Sequence, residues 1–402
     1  MTPATPEAPN GASAQARQLF WLGACYFFFY SILGVMVPYL GVFFESRGFN
    51  PQEIGILLAI VLGTRVIAPN VWARVADRTG MRVELVKAGA AAAAITYTSF
   101  FVEGSFLYLA ASLVVYTFFW NAILAQLEVV TLDTLGNNPQ RYGAIRSWGS
   151  VGYICLVVGG GFAIEHFGAQ ILPYLGMVLF LGMLACALPL KAERQQKDES
   201  PAPKGKVVTP AVFWFLLSAL LLQMSAGPFY GFFVLYLKQA GYAESLAGIM
   251  VALGVTAEIG MFMMAPRLLK RFGVMPLMAV SILMTAARWL MMAFGVEHVS
   301  IIALSQLLHA FTFGLVHAAS IQFVYQHFDK RHQSQGQALY ASIGFGMGGA
   351  LGIWICGYIW GDGSGAMWTW VFAAICAFLS MLAVCFIPRE PRAQDTAMPA
   401  HG

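Results

Sequence analysis

The chain has 402 residues, of which 59% are hydrophobic and only 10% are charged, and its formal net charge is +4. Soluble domains usually carry about 25% charged residues, so this composition excludes a soluble protein and predicts an integral membrane protein that contacts the lipid bilayer. The small positive charge does not require nucleic acid as a partner, because basic loops on one side of a membrane explain it better.

Twelve apolar segments are long enough to cross a bilayer, whose ~30 Å hydrocarbon core takes roughly 20 apolar residues as a helix. They lie at 18–44, 54–73, 84–102, 105–131, 143–164, 169–190, 210–237, 244–266, 274–294, 299–325, 336–360 and 366–387. The predicted fold is therefore an all-α integral membrane protein with twelve transmembrane helices in two six-helix halves. The predicted parts are a tail (1–17), the first half (18–190), a hydrophilic linker (191–209), the second half (210–387) and a second tail (388–402).

Basic residues predict the orientation of these spans. If both termini lie on one side, 18 of the 23 lysines and arginines fall on that side, and only Arg47 and Lys238 fall on the other. The remaining three, Arg65, Arg146 and Arg288, lie in spans or at their edges. The excess of basic residues in cytoplasmic loops places both termini in the cytoplasm and the protein in the inner membrane. We expect a monomer.

One stretch of the chain occurs twice, which indicates that the two halves arose by duplication. Residues 241–273 lie over residues 48–80 without a gap, and seven of the 33 positions are identical. The identical positions include the glycine pairs Gly48 and Gly241, Gly55 and Gly248, and Gly80 and Gly273. Each copy has one ion near its middle, Arg65 in the first and Glu258 in the second. Opposite charges at matched depths predict two halves that face each other across a polar pathway.

The depth of these two ions predicts a functional role. Arg65 precedes Asp77 at the predicted cytoplasmic boundary by twelve residues, or ~18 Å along a helix, and Glu258 precedes Lys270 by the same number. An ion near the bilayer centre costs at least ~2.5–3.5 kcal/mol and is usually kept for function. The alternative is a fixed pair between Arg65 and Glu258 that holds the halves together, although buried ion pairs often add little net stability.

Glu258 is the candidate proton carrier, with Arg288 of the next predicted helix as a possible partner. Burial disfavours the charged form of a carboxyl group and a nearby arginine favours it, so a proton can be exchanged when the partner moves. Span 10 carries Gln306, His309 and His317 on one helix face, which is typical of a cavity wall. Either histidine could bind a carboxylate or relay a proton, whereas a lone histidine on an apolar face is usually structural.

Arg65, Gln306 and further polar and aromatic residues are candidates for substrate contacts. Asn121 and Glu128 are seven residues apart in span 4 and share a helix face. Tyr26, Tyr153 and Tyr230 could supply rings for an aromatic ligand, although tyrosines in membrane proteins are more often packing or interface residues. No Asp or Glu with zinc-like spacing joins the histidines, so we expect no metal site.

The turn after the second span carries the sequence ARVADRTGMR over residues 73–82. It resembles the signature of the major facilitator superfamily, G-x-x-x-D-R-x-G-R-R, with Ala73 in place of the first glycine and Met81 in place of one arginine. In that family this turn latches the two halves on the cytoplasmic side, and its aspartate pairs with an arginine and a helix N-terminus. The resemblance implies a cytoplasmic gate formed by Asp77, Arg78, Gly80 and Arg82.

Within the superfamily the chain resembles the phenylpropionate permease group, relatives of lactose permease. The segments that carry the resemblance are Tyr142–Gly152, Phe229–Tyr242, Leu253–Phe262 and Leu308–Ser320. Lactose permease has a glutamate and an arginine at the separation of Glu128 and Arg146, which implies a substrate-side pair, and its arginine and histidine in spans 9 and 10 correspond to Arg288 and His309. Two departures weaken a sugar substrate: Thr312 stands where lactose permease has a carboxylate, and Tyr153 stands where it has a sugar-stacking tryptophan.

These observations predict a secondary active transporter, a proton symporter that imports a small organic solute by alternating access. Arginines and histidines beside aromatic walls favour an aromatic carboxylate such as phenylpropionate; a sugar or nucleoside is the main alternative. A proton-coupled exporter and a membrane sensor without transport also remain open. An enzyme is not expected, because the sequence offers no nucleophile with an ordered base, no metal cluster and no nucleotide loop. The proton gradient is the expected energy source, and no cofactor is predicted.

Overall fold

The computed structural model of the protein describes residues 9–136, 138–191, 208–329 and 332–388, and all regular elements within these ranges are helices. Most of the predicted linker, and residues 1–8 and 389–402 of the predicted tails, lie outside the described residues. The first helix begins at Pro9, well before the predicted start of the first span at residue 18.

Twelve long helical segments follow one another along the described chain, in agreement with the twelve predicted spans. They are α1 (Pro9–Ser46), α2 (Pro51–Thr79), α3 (Arg82–Tyr97), α4 (Phe106–Leu135), α5 (Tyr142–Phe167), α6 (Ala169–Ala187), α7 (Pro210–Gln239), α8 (Glu244–Phe272), α9 (Val274–Gly295), α10 (Val299–His327), α11 (Gln333–Trp360) and α12 (Ala366–Cys385). Helices α1–α6 form the first half of the molecule and α7–α12 form the second.

Eleven of these helices are long and apolar enough to cross a membrane. The exception is α3, which has only 16 residues and carries charges in its first turns. It continues as a 3-10 turn over Thr98–Phe101, and the two pieces together span roughly 32 Å. The predicted third span, 84–102, therefore corresponds to an α-helix completed by a tighter turn, which is long enough for a ~30 Å hydrocarbon core.

Helix α2 shows how local sequence fixes the depth of a buried ion. Its start is a capping box, in which the Asn50 side chain accepts the Glu53 amide at 2.9 Å and the Glu53 carboxylate accepts the Asn50 amide at 2.9 Å. Its end is Gly80, whose φ of +68° is a left-handed conformation that glycine adopts most easily. Because both ends are fixed, Arg65 is held near the middle of the helix.

Four helices of the described chain are interrupted near their centres, and residues within one turn of each interruption line the space between the halves. They are a turn at residues 121–122 in α4, a turn at Ala226 in α7, a π-helical segment over Ala310–Leu315 in α10 and another over Tyr340–Gly348 in α11. Such interruptions in membrane helices are tolerated where the backbone lines a cavity, and π segments are frequent at functional sites.

The two halves pack closely at the end of the molecule opposite the basic loops, along two glycine seams. In the seam between α2 and α11, a Cβ atom on Gly55 would lie only 2.9 Å from the Gly357 Cα atom. In the seam between α5 and α8, a Cβ atom on Gly248 would lie 2.5 Å from the Val157 carbonyl oxygen. The backbones can approach this closely only because glycine has no side chain.

Polar contacts reinforce the same end. Lys238 of α7 forms an ion pair of 2.7 Å with Glu45 of α1, and the Ser245 amide of α8 donates to the Glu165 carboxylate of α5 at 3.3 Å. The halves are therefore joined at the end that carries few basic residues, and a space between them extends from the middle of the molecule toward the basic loops.

Candidate functional site

A cavity of about 520 Å³ lies between the two halves. Most of its wall is aromatic or aliphatic, with contributions from interrupted helices on both sides. Its aromatic lining consists of Phe29, Tyr30, Trp120, Tyr153, Phe229, Tyr230, Phe313 and Phe345, and its polar lining of Arg65, Asn121, Glu128, Arg146, Ser150, Gln223, Glu258 and His309. An apolar cavity with a few convergent polar groups is the usual form of a small-molecule site.

Arg65 lies in this cavity without an ionic partner. Among the described residues, no carboxylate oxygen lies within 4.0 Å of its guanidinium group, although Glu258 lines the same cavity. A fixed pair between Arg65 and Glu258 is therefore not present in this conformation. Next to Arg65, the Asn121 amide donates to the Thr64 hydroxyl at 3.2 Å, which joins α4 to α2 beside the free guanidinium group.

Glu258 is held by a chain of polar side chains in the second half. Its carboxylate lies 3.2 Å from His309 Nε2, and His309 Nδ1 lies 2.8 Å from an Arg288 guanidinium nitrogen. Arginine can only donate, so Nδ1 of His309 must accept, and the ring hydrogen must be on Nε2 and point to Glu258. In this arrangement His309 is neutral, and both of its nitrogens are engaged.

Arg288 supports this chain from behind the cavity. It is 0% exposed, donates a second hydrogen bond of 3.0 Å to the Gln306 side-chain oxygen, and lies over the Phe229 ring at 4.4 Å. Gln306, predicted as a substrate contact, is also 0% exposed and does not line the cavity. Arg288 contacts His309 rather than its predicted partner Glu258, so it acts on the carboxylate through the imidazole ring.

Glu128 and Arg146 both line the cavity on its first-half side, but among the described residues no ion pair joins them. Arg146 instead donates to the Tyr30 hydroxyl, and its guanidinium carbon lies 4.0 Å from the centre of the Tyr30 ring. Arg146 therefore has a hydrogen-bond partner in the cavity wall, in contrast to Arg65. Tyr30 was not among the predicted residues, because nothing in the sequence distinguishes it from its many aromatic neighbours.

The three predicted tyrosines differ in position. Tyr153 of α5 and Tyr230 of α7 line the cavity, and Tyr230 follows the interruption at Ala226. Tyr26 does not line it; the residue is 0% exposed, and its hydroxyl lies 3.2 Å from the Thr131 hydroxyl inside the first half. Tyr26 therefore packs behind Arg146, whose guanidinium carbon is 5.6 Å from its ring centre.

His317 lies two turns beyond His309 on α10 and outside the cavity lining. Its ring stacks on Phe313 with centroids 5.5 Å apart, and its Nδ1 atom lies 3.3 Å from the Tyr340 hydroxyl of α11. The predicted helix face is thus present, but Phe313 separates the two histidines.

The signature turn forms a compact cluster within the first half. Asp77 forms an ion pair of 2.8 Å with Arg82, and Arg82 also donates to the Gln126 side chain of α4 at 2.7 Å. Asp77 and Arg78 are exposed at the end of α2, and the positive φ of Gly80 turns the chain toward Arg82. In this protein the aspartate of the signature, Asp77, therefore pairs with an arginine of the same turn, Arg82.

The fold and the cavity together define a class of protein: a multi-pass membrane transporter of small solutes, with its site between two six-helix halves. The chain belongs to the MFS_1 like family, whose model matches residues 19–372. The suspected membership of the major facilitator superfamily, the predicted fold class and the expectation that the protein is not an enzyme are confirmed.

Individual proteins show the same similarity over nearly the whole chain. The probable 3-phenylpropionic acid transporter of Escherichia coli (strain K12) is 26% identical over 376 residues, which cover 88% of this chain and 95% of that protein. The maltose permease of Geobacillus stearothermophilus is 25% identical over 382 residues, covering 91% and 94%. A crystal structure of a mutant of the nucleoside transporter NupG has a TM-score of 0.82 at 18% identity, covering 92% of this chain and 100% of that chain. This last likeness concerns the fold alone.

Proposed function

We propose that the protein is a proton symporter that imports an aromatic carboxylate, such as 3-phenylpropionate, by alternating access. The observation that supports this most strongly is the unpaired guanidinium group of Arg65 in a cavity with mostly aromatic walls. A carboxylate can form two parallel hydrogen bonds with such a group, and an aromatic ring can pack against the surrounding walls. The similarity to a probable 3-phenylpropionic acid transporter points to the same substrate class.

In this proposal Glu258 carries the coupled proton. Its carboxylate lines the cavity, whereas both nitrogens of its neighbour His309 are already occupied. A proton arriving from the cavity therefore meets Glu258 first. His309, Arg288 and Gln306 act as positioning residues, because each orients the next through a direct hydrogen bond.

The orientation follows from the distribution of basic residues. If the basic loops and both termini lie in the cytoplasm, the joined end faces outward and this conformation is inward-facing. The protein then lies in the cytoplasmic membrane as a monomer, with the proton gradient as its energy source and no cofactor. The signature turn at Asp77 and Arg82, which lies at the separated end, is the proposed cytoplasmic gate.

A second candidate function is proton-coupled uptake of a sugar or a nucleoside. It is favoured by the similarity to a maltose permease and by the uncharged hydrogen-bonding side chains of Asn121, Ser150 and Gln223 in the cavity wall. These side chains suit hydroxyl groups, but they give no role to the free charge of Arg65.

Uptake by purified protein in liposomes distinguishes these candidates. Labelled 3-phenylpropionate, lactose, maltose and uridine are each offered with and without an acidic exterior, and protein-free liposomes correct for unaided entry of the undissociated acid. We expect protein-dependent accumulation of phenylpropionate that requires the pH gradient and is abolished by a protonophore. Accumulation of a sugar or the nucleoside instead would support the second candidate. Phenylpropionate efflux against its gradient, driven by an acidic exterior, would indicate an exporter.

A further inference from the structure

We propose that Arg65 and Glu258 pair with each other when the cavity is empty and bind the two cargoes when it is loaded. The cavity then closes in one of two states. In the empty state Arg65 and Glu258 form an ion pair, and in the loaded state Arg65 binds one monoanion and Glu258 carries one proton. The proposal rests on the proposed function and deepens it, since it sets the substrate charge and the coupling ratio. It predicts electroneutral symport of one proton with each monocarboxylate.

The charges of the cavity make this pair distinct from the others. Apart from His309, four acidic or basic side chains of the described residues line it, Arg65, Glu128, Arg146 and Glu258. Glu128 and Arg146 both belong to the first half and interact electrostatically without forming an ion pair, and Arg146 is also bound to Tyr30. Among the described residues, Arg65 has no ionic partner within 4.0 Å, and the Glu258 carboxylate contacts only the neutral imidazole of His309 within this distance. Arg65 and Glu258 are therefore the two charges that depend on what occupies the space between the halves.

Closure of the cavity makes the free energy depend strongly on whether Arg65 and Glu258 are compensated. Arg65 and Glu258 come from opposite halves, so closing the open end brings them together and removes water from around them. An uncompensated charge in a closed, dry site is strongly unfavourable, whereas a paired or neutralised one is tolerated. With neither cargo the two side chains pair, and with both cargoes each is neutralised separately. Either cargo alone leaves one bare charge and opposes closure.

Other ionisable side chains surround Glu258, and none of them takes the place of Arg65 as its partner in the closed, empty cavity. The titratable or charged groups that interact with it are Tyr153 of α5, Tyr230 of α7, Arg288 of α9, and His309 and His317 of α10. The two tyrosines are neutral near pH 7. Arg288 stays within the second half during closure, bonded to His309 and Gln306, so its contribution is similar in the open and closed states.

The charge balance of the closed cavity also sets the substrate specificity. A dicarboxylate brings one negative charge more than Arg65 can compensate, and the corresponding amide brings none, so each leaves an unbalanced charge in the closed cavity. Phenylpropionate should be transported, whereas phenylsuccinate as its dianion and phenylpropionamide should not be accumulated.

The decisive experiment needs no substrate. Spin labels at Gln140→Cys and Asp329→Cys report the distance between the halves at the basic-loop end, in a background that carries Cys155→Ala and Cys385→Ala because these two native cysteines are exposed. The fraction of closed molecules at pH 8 is compared for the parent, Arg65→Gln, Glu258→Gln and the double variant. Glu103→Gln, an exposed loop substitution, is the control.

We expect each single substitution to lower the ratio of closed to open molecules at least about tenfold, and the double variant to return to the parent value or above it. Additive effects of the two substitutions would overturn the proposal, whatever the substrate proves to be. In liposomes, phenylpropionate uptake should not respond to an imposed membrane potential, and uptake that responds to potential would overturn the one-to-one ratio. Restoration in the double variant together with absent phenylpropionate uptake would retain the paired switch and reject the proposed substrate.

Discussion

The two copies of the duplicated stretch carry their central ions in opposite situations. Arg65 on α2 enters the cavity with no ionic partner among the described residues, whereas Glu258 on α8 is attached through His309 to the buried Arg288. The first copy thus offers a permanent charge that can be satisfied by a ligand. The second offers a carboxylate that contacts His309 of its own half. In the proposed function, the surroundings of these two matched positions suit the first to an anion and the second to a proton.

The outer parts of the two copies, in contrast, are nearly equivalent. Gly48 and Gly241 have φ values of +84° and +87°. Gly80 and Gly273 also share a positive φ, +68° and +80°, although their ψ values of 8° and 172° differ. Gly55 and Gly248 each lie in a seam between the halves. The three identical glycine pairs are therefore explained by backbone requirements that both copies retain, namely two positions with a positive φ and one close helix approach.

The largest difference between the copies should appear when Arg65 is replaced. Arg65→Gln should lower the uptake of phenylpropionate on the order of 100-fold, because a charge-assisted carboxylate contact is lost in a site shielded from water. Thermal stability should hardly change, since no described residue forms an ion pair with Arg65. Uptake and melting temperature measured beside Arg17→Gln, an exposed control, test both statements. Unchanged uptake would remove Arg65 from the site.

Replacing the arginine behind Glu258 should have a different main effect. Arg288→Met would leave His309 Nδ1 and the Gln306 oxygen without their buried donor, at a cost of roughly 1–3 kcal/mol for each group. We expect a clear fall in melting temperature, whereas Arg65→Met, with the same change in side chain, should cause little. If the two substitutions lower the melting temperature equally, Arg288 and Arg65 do not differ in the way proposed, with Arg288 hydrogen-bonded to buried groups and Arg65 without an ionic partner.

The glycine seams should respond alike in both copies. Gly55→Ala and Gly248→Ala each place a methyl group within 3.0 Å of backbone atoms of the other half, so the joined end must separate. Spin labels at Glu103→Cys and Glu297→Cys lie in exposed loops at that end. They should report a several-fold larger fraction of molecules in which the two halves are separated at this end. Gly63→Ala in α2 and Gly260→Ala in α8 are matched controls, because no atom lies within 4 Å of the added Cβ. A shift as large in these controls would contradict the assignment of the seams.

The smallest effect is expected at the turn glycines. Gly48→Ala and Gly241→Ala meet no neighbouring atoms, so their cost should be the roughly 1–2 kcal/mol of a left-handed backbone at a non-glycine residue. The melting temperature should fall by similar small amounts in the two variants, with Gly63→Ala again as the reference. A fall in only one copy would show that the equivalence of the two turns is incomplete.

Much of the architecture was predictable because each transmembrane helix satisfies its own backbone hydrogen bonds and must be apolar over a fixed length. These constraints act within one segment, so the apolar segments predicted the twelve helices, and the signature at residues 73–82 predicted the family. Arg65, Asn121, Glu128 and Glu258 were predicted from charge or polarity in apolar surroundings, and Arg146 from the resemblance to lactose permease. All five line the cavity.

The membrane class, the helices and the presence of charged residues within them follow from composition and local spacing. The partners of the polar residues depend instead on how the helices pack. Gln306 and Tyr26 lie behind the cavity, Tyr30 lies in its wall, and Arg288 contacts His309 rather than Glu258. Helical periodicity gives the face of a single helix but not the rotation of one helix against the next. The partner of a buried charge depends on that rotation, because a hydrogen bond is lost when its atoms shift by about 1 Å.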